Sequence, residues 1–289
     1  MSAERTLARE LWLRIETLHA VTYFGEETQV AARAAGLDGF WVGYFALRAA
    51  PLGQVAPGTV DATFANFAPA FVRRWVPRCW ELVAPEAALD VRSTAAAETL
   101  RRAAPGIEAT ATAVAESLDG AVAAATAIGR PLFAANRDLA PPDDPVAALW
   151  QRCTTLREHR GDGHVAALAA VELSGLEAHV LIAAERGSDP VDLQRTRGWT
   201  EDDWAAAVAG LADRGLVDGR GRLRSAGAEL RRDVEATTDR LAAAPLAAWS
   251  DADASAVLDA LRPPAAAVSG AGVLRYPNPI GLPPVGGSG

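Results

Sequence analysis

The feature that most constrains this chain is a punctuated run of helical patterns over residues 174–243. Residues 174–186 carry apolar positions at the spacing of one amphipathic helix, and 189–196 form a short second one. Gly198-Trp199 separates these from a third helix that opens at Thr200. Thr200 and Asp203 stand at capping-box spacing, and Glu201 and Asp202 complement the positive end of the helix dipole. Trp204, Ala207, Val208 and Leu211 line one face of that helix, which ends near Arg214-Gly215. Residues 216–224 then read as two short strands about a glycine turn, and 225–243 as a long closing helix.

Three helices, a hairpin and a closing helix are the order of a winged helix-turn-helix. The rest of the chain reads as helix with few credible strands. Leu7, Leu11, Ile15 and Leu18 form one stripe, and a helix over 26–35 stops at Gly36. Phe64, Phe67, Phe71 and Trp75 recur at helical spacing and are expected core, with Pro69 and Pro77 interrupting. Alanine-rich helices follow over 86–103 and 106–128. A loop at Pro141-Pro142-Asp143-Asp144-Pro145 leads into a helix over 146–158. The expected fold class is mostly α: a helical N-terminal domain (1–171) fused to a winged helix-turn-helix with a small β-hairpin wing and trailing helix (172–262). An extended C-terminal tail (263–289) follows, its last residues, 286–289, expected to lie outside the fold.

Leu211-Ala212-Asp213-Arg214-Gly215-Leu216-Val217, with the wing and Ser225-Ala226-Gly227, resembles the recognition helix and wing of MarR-type regulators. That likeness covers about 172–243. Over nearly its full length the chain is similar to the SalK-like winged-helix proteins of actinobacteria. The residues that carry this are His19-Ala20-Val21-Thr22-Tyr23-Phe24, Gly43-Tyr44-Phe45-Ala46-Leu47-Arg48, Asn66-Phe67-Ala68-Pro69, the run Arg157-Glu158-His159-Arg160-Gly161-Asp162-Gly163-His164, and Pro277-Asn278-Pro279-Ile280-Gly281. The resemblance implies the fused architecture and leaves the activity open.

Charge narrows the partners. Of 289 residues, 28 are basic, all of them arginine, against 36 acidic, for a net charge of −8. Over 172–243 ten arginines face fourteen carboxylates, and three carboxylates stand at the helix end that would enter a groove. Nucleic acid is therefore disfavoured as a partner. Arg220, Arg222 and Arg224 on the wing are the concentrated positive feature and the DNA-contact candidates of the alternative reading. Cys79 and Cys153 are too few for a disulfide framework and are expected as free thiols. A first segment without a leader-like apolar stretch, and no unbroken apolar run of about 18 residues, point to a cytoplasmic protein without a membrane partner.

The run from Glu158 to His164 packs two histidines, two carboxylates and two glycines into seven residues. The glycines are expected to break one helix and start the next, with Asp162 as N-cap. Such an elbow suits an anion. His159, Asp162 and His164 are the candidate catalytic groups, since imidazole titrates near neutral pH. His19, Tyr23, Arg48 and Arg160 are the candidate ligand-binding groups, with Arg48 or Arg160 holding an anionic ligand. Arg48 lies among apolar neighbours and needs a carboxylate, from protein or ligand. Three imidazoles, His19, His159 and His164, match no ligand spacing, so no metal is assigned and the cofactor stays unknown. No Walker loop, dinucleotide fingerprint or nucleophile elbow is present.

Three readings remain. One is a small-molecule-binding protein or enzyme with its site between the helical half and a winged helix that has lost DNA binding. Another is a MarR-type ligand-responsive regulator acting as a homodimer. The third is an interaction scaffold.

Overall fold

The computed structural model describes residues 3–187, 189–278 and 280–286; the last three residues of the expected loose end, 287–289, lie outside them. The elements begin with α1 (Ala3–His19), α2 (Val21–Phe24), α3 (Glu26–Ala34), α4 (Phe40–Ala49), α5 (Pro57–Phe64) and α6 (Pro69–Leu82). Then come α7 (Pro85–Ala103), α8 (Ile107–Ala124), α9 (Pro131–Arg137) and α10 (Pro145–Ala170). The winged segment supplies α11 (Gly175–Arg186), α12 (Pro190–Arg197), α13 (Glu201–Asp213) and α14 (Ser225–Ala243), and α15 (Asp251–Gly270) ends the series. Proline opens α5, α6, α7, α9, α10 and α12, where a missing N–H costs nothing. Capping boxes close the starts of α11, α13 and α15.

Three apolar cores form. The first gathers α1, α7, α8, the front of α10, α15 and the docked tail, where Leu274 and Leu282 are buried. The second packs α4, α5 and α6 around Phe45, Phe64 and Phe67, with Phe71 and Trp75 half-buried at its edge. The third joins the end of α10 to α11, α13, the wing and α14. Cys79 and Cys153 are buried and free. Among the described residues no single helix is long and apolar enough to cross a membrane.

The tail is expected extended from 263, yet α15 continues through Pro263 and Pro264 to Gly270, where Pro264, Ala265 and Val268 are buried. Two further expectations fail. No strand forms among the described residues: the wing is a loop closed by one antiparallel bridge, Val217 to Leu223. Asp218 holds that loop by accepting from the N–H groups of Arg220 and Arg222. So few residues, with glycines at 219 and 221, leave too little chain on either side of the turn for a ladder.

The second failure concerns α10. It runs unbroken through Gly161 and Gly163, and Asp162 caps no helix start of its own. Gly163 is there for close approach: a Cβ would lie 2.7 Å from Arg130 Nη1. Through that gap Arg130 donates to the carbonyl of His159. The Asp162 carboxylate accepts from Phe133 N–H at 2.9 Å, capping the first turn of α9 instead.

Candidate functional site

Helix α10 is surrounded, and its polar belt answers every neighbour in turn. Arg157 donates to Glu16 of α1 at 3.0 Å and to Glu158 at 2.8 Å. Arg48 of α4 meets both oxygens of Glu158 at 3.3 Å and donates to the Tyr44 hydroxyl at 3.0 Å. Arg160 pairs with Glu235 and Asp239 of α14 and lies 4.5 Å over the Trp12 ring. Hence the density of titratable groups here follows first from packing: a helix enclosed on all sides finds partners for its buried charges on several different elements, while His159 Nε2 and Arg160 Nε are left without one.

His19 closes one end of this network. Its Nδ1 pairs with Thr154 Oγ1 at 2.9 Å and its Nε2 with the Tyr23 hydroxyl at 3.0 Å. Trp150 donates to the His19 carbonyl and its ring stacks on the imidazole. Tyr23 in turn lies 4.9 Å from the Tyr44 ring, centroid to centroid. His19, Tyr23 and Arg48 therefore belong to one cluster with Tyr44, Thr154 and Glu158. Thr154 and Glu158 are one helical turn apart and share a face.

His159 and His164 do not join it. Five residues apart on one helix, they point about 140° away from each other. His159 is buried edge-on against Phe133 of α9, and His164 pairs with Thr238 Oγ1 of α14 at 3.0 Å. The three histidines, expected in one site, stand against three different elements. Among the described residues no group of three or more histidine, cysteine or carboxylate side chains is placed to hold a metal.

Burial sets the electrostatics. Desolvation, reinforced by Arg157, pushes His19 well below the ordinary imidazole range, so it is neutral. Desolvation and Arg130 bring His159 down to about 3, and desolvation lowers His164 as well. Burial works to raise Glu158, yet Arg157 and Arg48 outweigh it and hold this carboxylate at about 2. Burial raises the Tyr23 phenol, and lifts Asp162 to about 7 against the pull of the Phe133 N–H. A neutral His19 hydrogen-bonded to a protonated Tyr23 is an uncharged relay. Arg48, already matched by Glu158, presents no free cationic charge to an anion.

The need of Arg48 for a carboxylate was readable in the sequence; that Glu158 meets it was not. Sequence reasoning also passed over Arg92, which donates to the Leu47 carbonyl, Asn136 and Gln151. Its only signal was an arginine in an alanine-rich helix.

One crevice touches the network, between α2–α3 and α4, with Tyr23 and Tyr44 in its wall and about 10 Å³ open to water. A larger dip of about 390 Å³ lies away from it, where α6 meets α7. Its carboxylates, Glu81 and Glu86, are exposed, and the indole N–H of Trp80 in its wall already donates to the Val55 carbonyl.

Besides α14, which packs on α1 and α10, the helix-turn-helix meets the helical body at the start of α11 and at the turn into α13. The N-terminus of α11 meets the end of α5 so closely that a Cβ on Gly175 would lie 1.7 Å from the Ala65 carbonyl oxygen. The turn into α13 is clamped by Ala68 N–H donating to the Arg197 carbonyl at 2.9 Å and by the Trp199 indole donating to the Asn66 carbonyl at 3.2 Å. Gly198, at φ +75°, sits where a Cβ would lie 2.4 Å from that of Phe71. Arg197 stacks 5.0 Å over Phe67. Two residues beyond Gly198, Thr200 and Asp203 close their capping box, leaving Glu201 and Asp202 exposed. On the wing Arg222 is paired with Asp218 at 2.7 Å, while Arg220 and Arg224 are exposed.

The sequence model of a helix-turn-helix family matches residues 8–275. The chain belongs to that helix-turn-helix family. The match begins within α1 and ends beyond α15, so the family's unit takes in the helical body as well as the motif. No curated protein and no solved structure matches this family member.

Proposed function

We propose that this helix-turn-helix family member is a cytoplasmic small-molecule-binding protein whose winged segment anchors the helical body and has ceased to read duplex DNA. The observation that carries the reading is the clamp on the turn before α13, made by Ala68, Asn66 and Phe71. A groove-reading helix enters between two phosphate rails with its N-terminal residues on base edges. Here Glu201 and Asp202 would enter first, followed by the exposed Ala205, Ala206 and Ala209. The arginine, asparagine and glutamine that make bidentate base contacts are missing from that face. The uncharged His19–Tyr23 pair and the internally matched Arg48–Glu158 pair, beside a crevice, support the ligand half of the reading. The likeness to SalK-like proteins supports the fused architecture.

Family membership favours a second reading, a MarR-type regulator that sets Arg220, Arg222 and Arg224 on phosphates. Competition binding of the intact chain to duplex DNA near physiological salt separates the two. Weak, sequence-independent binding at roughly 10⁻⁴–10⁻⁶ M is expected. A specific complex at about 10⁻⁸–10⁻¹¹ M, weakened by Arg220→Ala, overturns the first reading and establishes the second.

A further inference from the structure

We propose that the crevice between α2–α3 and α4 is the ligand site and that it takes a small neutral ring compound bearing a hydrogen-bonding group. This rests on the ligand-binding reading above. Thr22 and Thr28 line the crevice, at 4 % and 1 % exposed, and their hydroxyl oxygens have no hydrogen-bond partner in the protein. Other buried threonines return the hydroxyl to the carbonyl one turn back, as Thr17, Thr63 and Thr99 do. Thr22 and Thr28, at the starts of α2 and α3, do not, and no other protein atom compensates. A buried hydroxyl without a partner is unfavourable. Two on the wall of one opening mark a place where a guest's polar atom is received.

The rest of the wall sets the class of guest. Tyr44 and Phe40 supply aromatic surface, the Gln29 amide donates to the Tyr23 carbonyl, and no lining side chain carries a charge. The Arg48 guanidinium, which donates to the Tyr44 hydroxyl, is paired with Glu158. An ionised ligand would lose its hydration here with no opposite charge in return, so neutral molecules are selected. The present opening holds about one water. Admission of a ring requires Phe40 to turn aside. It is 39 % exposed and opens α4 directly after Gly39 at φ +122°, so turning it gives up its ring contacts with Trp41 and Tyr44 but displaces no fully buried side chain.

Gly43 supplies the test. A Cβ there would meet only the Cβ of Ala32, at 3.7 Å, an ordinary contact. Gly43→Ala therefore fills the crevice while keeping the fold, and it raises helix propensity. Binding of phenol, with benzoate as its charged counterpart, is read on the full chain by saturation-transfer NMR. Phenol is expected to bind, and benzoate roughly tenfold or more weakly. Gly43→Ala is expected to remove phenol binding with the melting temperature held or raised. Thr28→Val, of matching shape, is expected to weaken phenol about fivefold through one lost hydrogen bond, and it carries the test should Gly43→Ala fail to fold. Absence of phenol binding, benzoate binding equal to phenol, or phenol affinity unchanged in both variants overturns the proposal. A thermal-shift screen of neutral fragments distinguishes the broader reading. A fragment that stabilises wild type and Gly43→Ala alike removes this crevice and leaves ligand binding standing.

Discussion

Arg48 meets Glu158 at 3.3 Å with neither side chain more than 8 % exposed, whereas Arg222 meets Asp218 at 2.7 Å with the arginine 73 % exposed. The shorter contact is the weaker determinant of the fold. In the belt around α10, desolvation makes each charge depend on its partner. On the wing, water screens both ions, and the pair only trims a loop. The same pairing of an arginine with a carboxylate thus fixes a buried junction in one region and a replaceable surface contact in the other.

The largest way to break that contrast is Glu158→Gln, which leaves Arg48 and Arg157 buried without their shared counter-charge. A loss of about 3–5 kcal/mol in urea unfolding is expected. The Arg48→Met, Glu158→Leu double variant is expected to recover most of it, because both charges leave together. Arg222→Ala is expected to leave the unfolding midpoint unmoved; a shift comparable to that of Glu158→Gln would erase the distinction.

Next come two of the points where body and motif dock. Gly175→Ala and Gly198→Ala are each expected to cost about 1–3 kcal/mol by overpacking and to speed amide exchange in α11–α13. Gly219→Ala on the wing, with nothing within 4 Å of the added carbon, is the control and is expected to do neither.

A pH titration sharpens the comparison further. The Asp162 carboxyl, about 7 in the fold, stands above its unfolded value near 3.9. Its contribution to stability is thus present at low pH and is lost as pH rises from about 4 to about 7. Asp162→Asn is expected to remove that fall, whose slope is at most about 1.4 kcal/mol per pH unit. Identical pH profiles for wild type and variant would place this carboxyl in water.

The smallest effect is expected at the start of α13. Glu201→Gln with Asp202→Asn removes two charges that favour the helix dipole, at about 0.3–1 kcal/mol. The same change is expected to strengthen weak duplex binding, since less negative charge faces the phosphates. Unchanged DNA affinity would mean that this helix end never approaches the duplex.

These regions also differ in how far they could be read in advance. From Ser174 to Ala243 the helices follow the expected order, with the Thr200–Asp203 capping box in place at 3.1 Å. Caps, glycine stops and apolar spacing act within a turn of their own position, so a short window of sequence contains their cause. The belt of α10 was legible as chemistry but not as arrangement. Glu158, His159, Asp162 and His164 lie side by side in sequence, yet a helix turns them towards α4, α9 and α14. Gly161 and Gly163 read as breakers because the window does not contain Arg130, whose approach to the α10 backbone gives Gly163 its role. His19, Tyr23 and Arg48 were readable as polar groups set in apolar helices, and they do converge. Thr22 and Thr28 gave no signal, since a threonine's lack of a partner is a property of its surroundings.

By itself, then, the sequence determined that the chain is mostly helical, the order and caps of the helices from Ser174 to Ala243, that carboxylates outnumber the arginines and lysine is missing, and that a buried arginine would need an acid. Only the tertiary structure decided which acid, which histidines part company, that the wing forms no strands, and that the turn into α13 is clamped to the body. The physical reason is range. Backbone hydrogen bonds and caps are settled between near neighbours, while desolvation and charge pairing are settled by whichever segment arrives from far along the chain, as Arg48 reaches Glu158 across 110 residues.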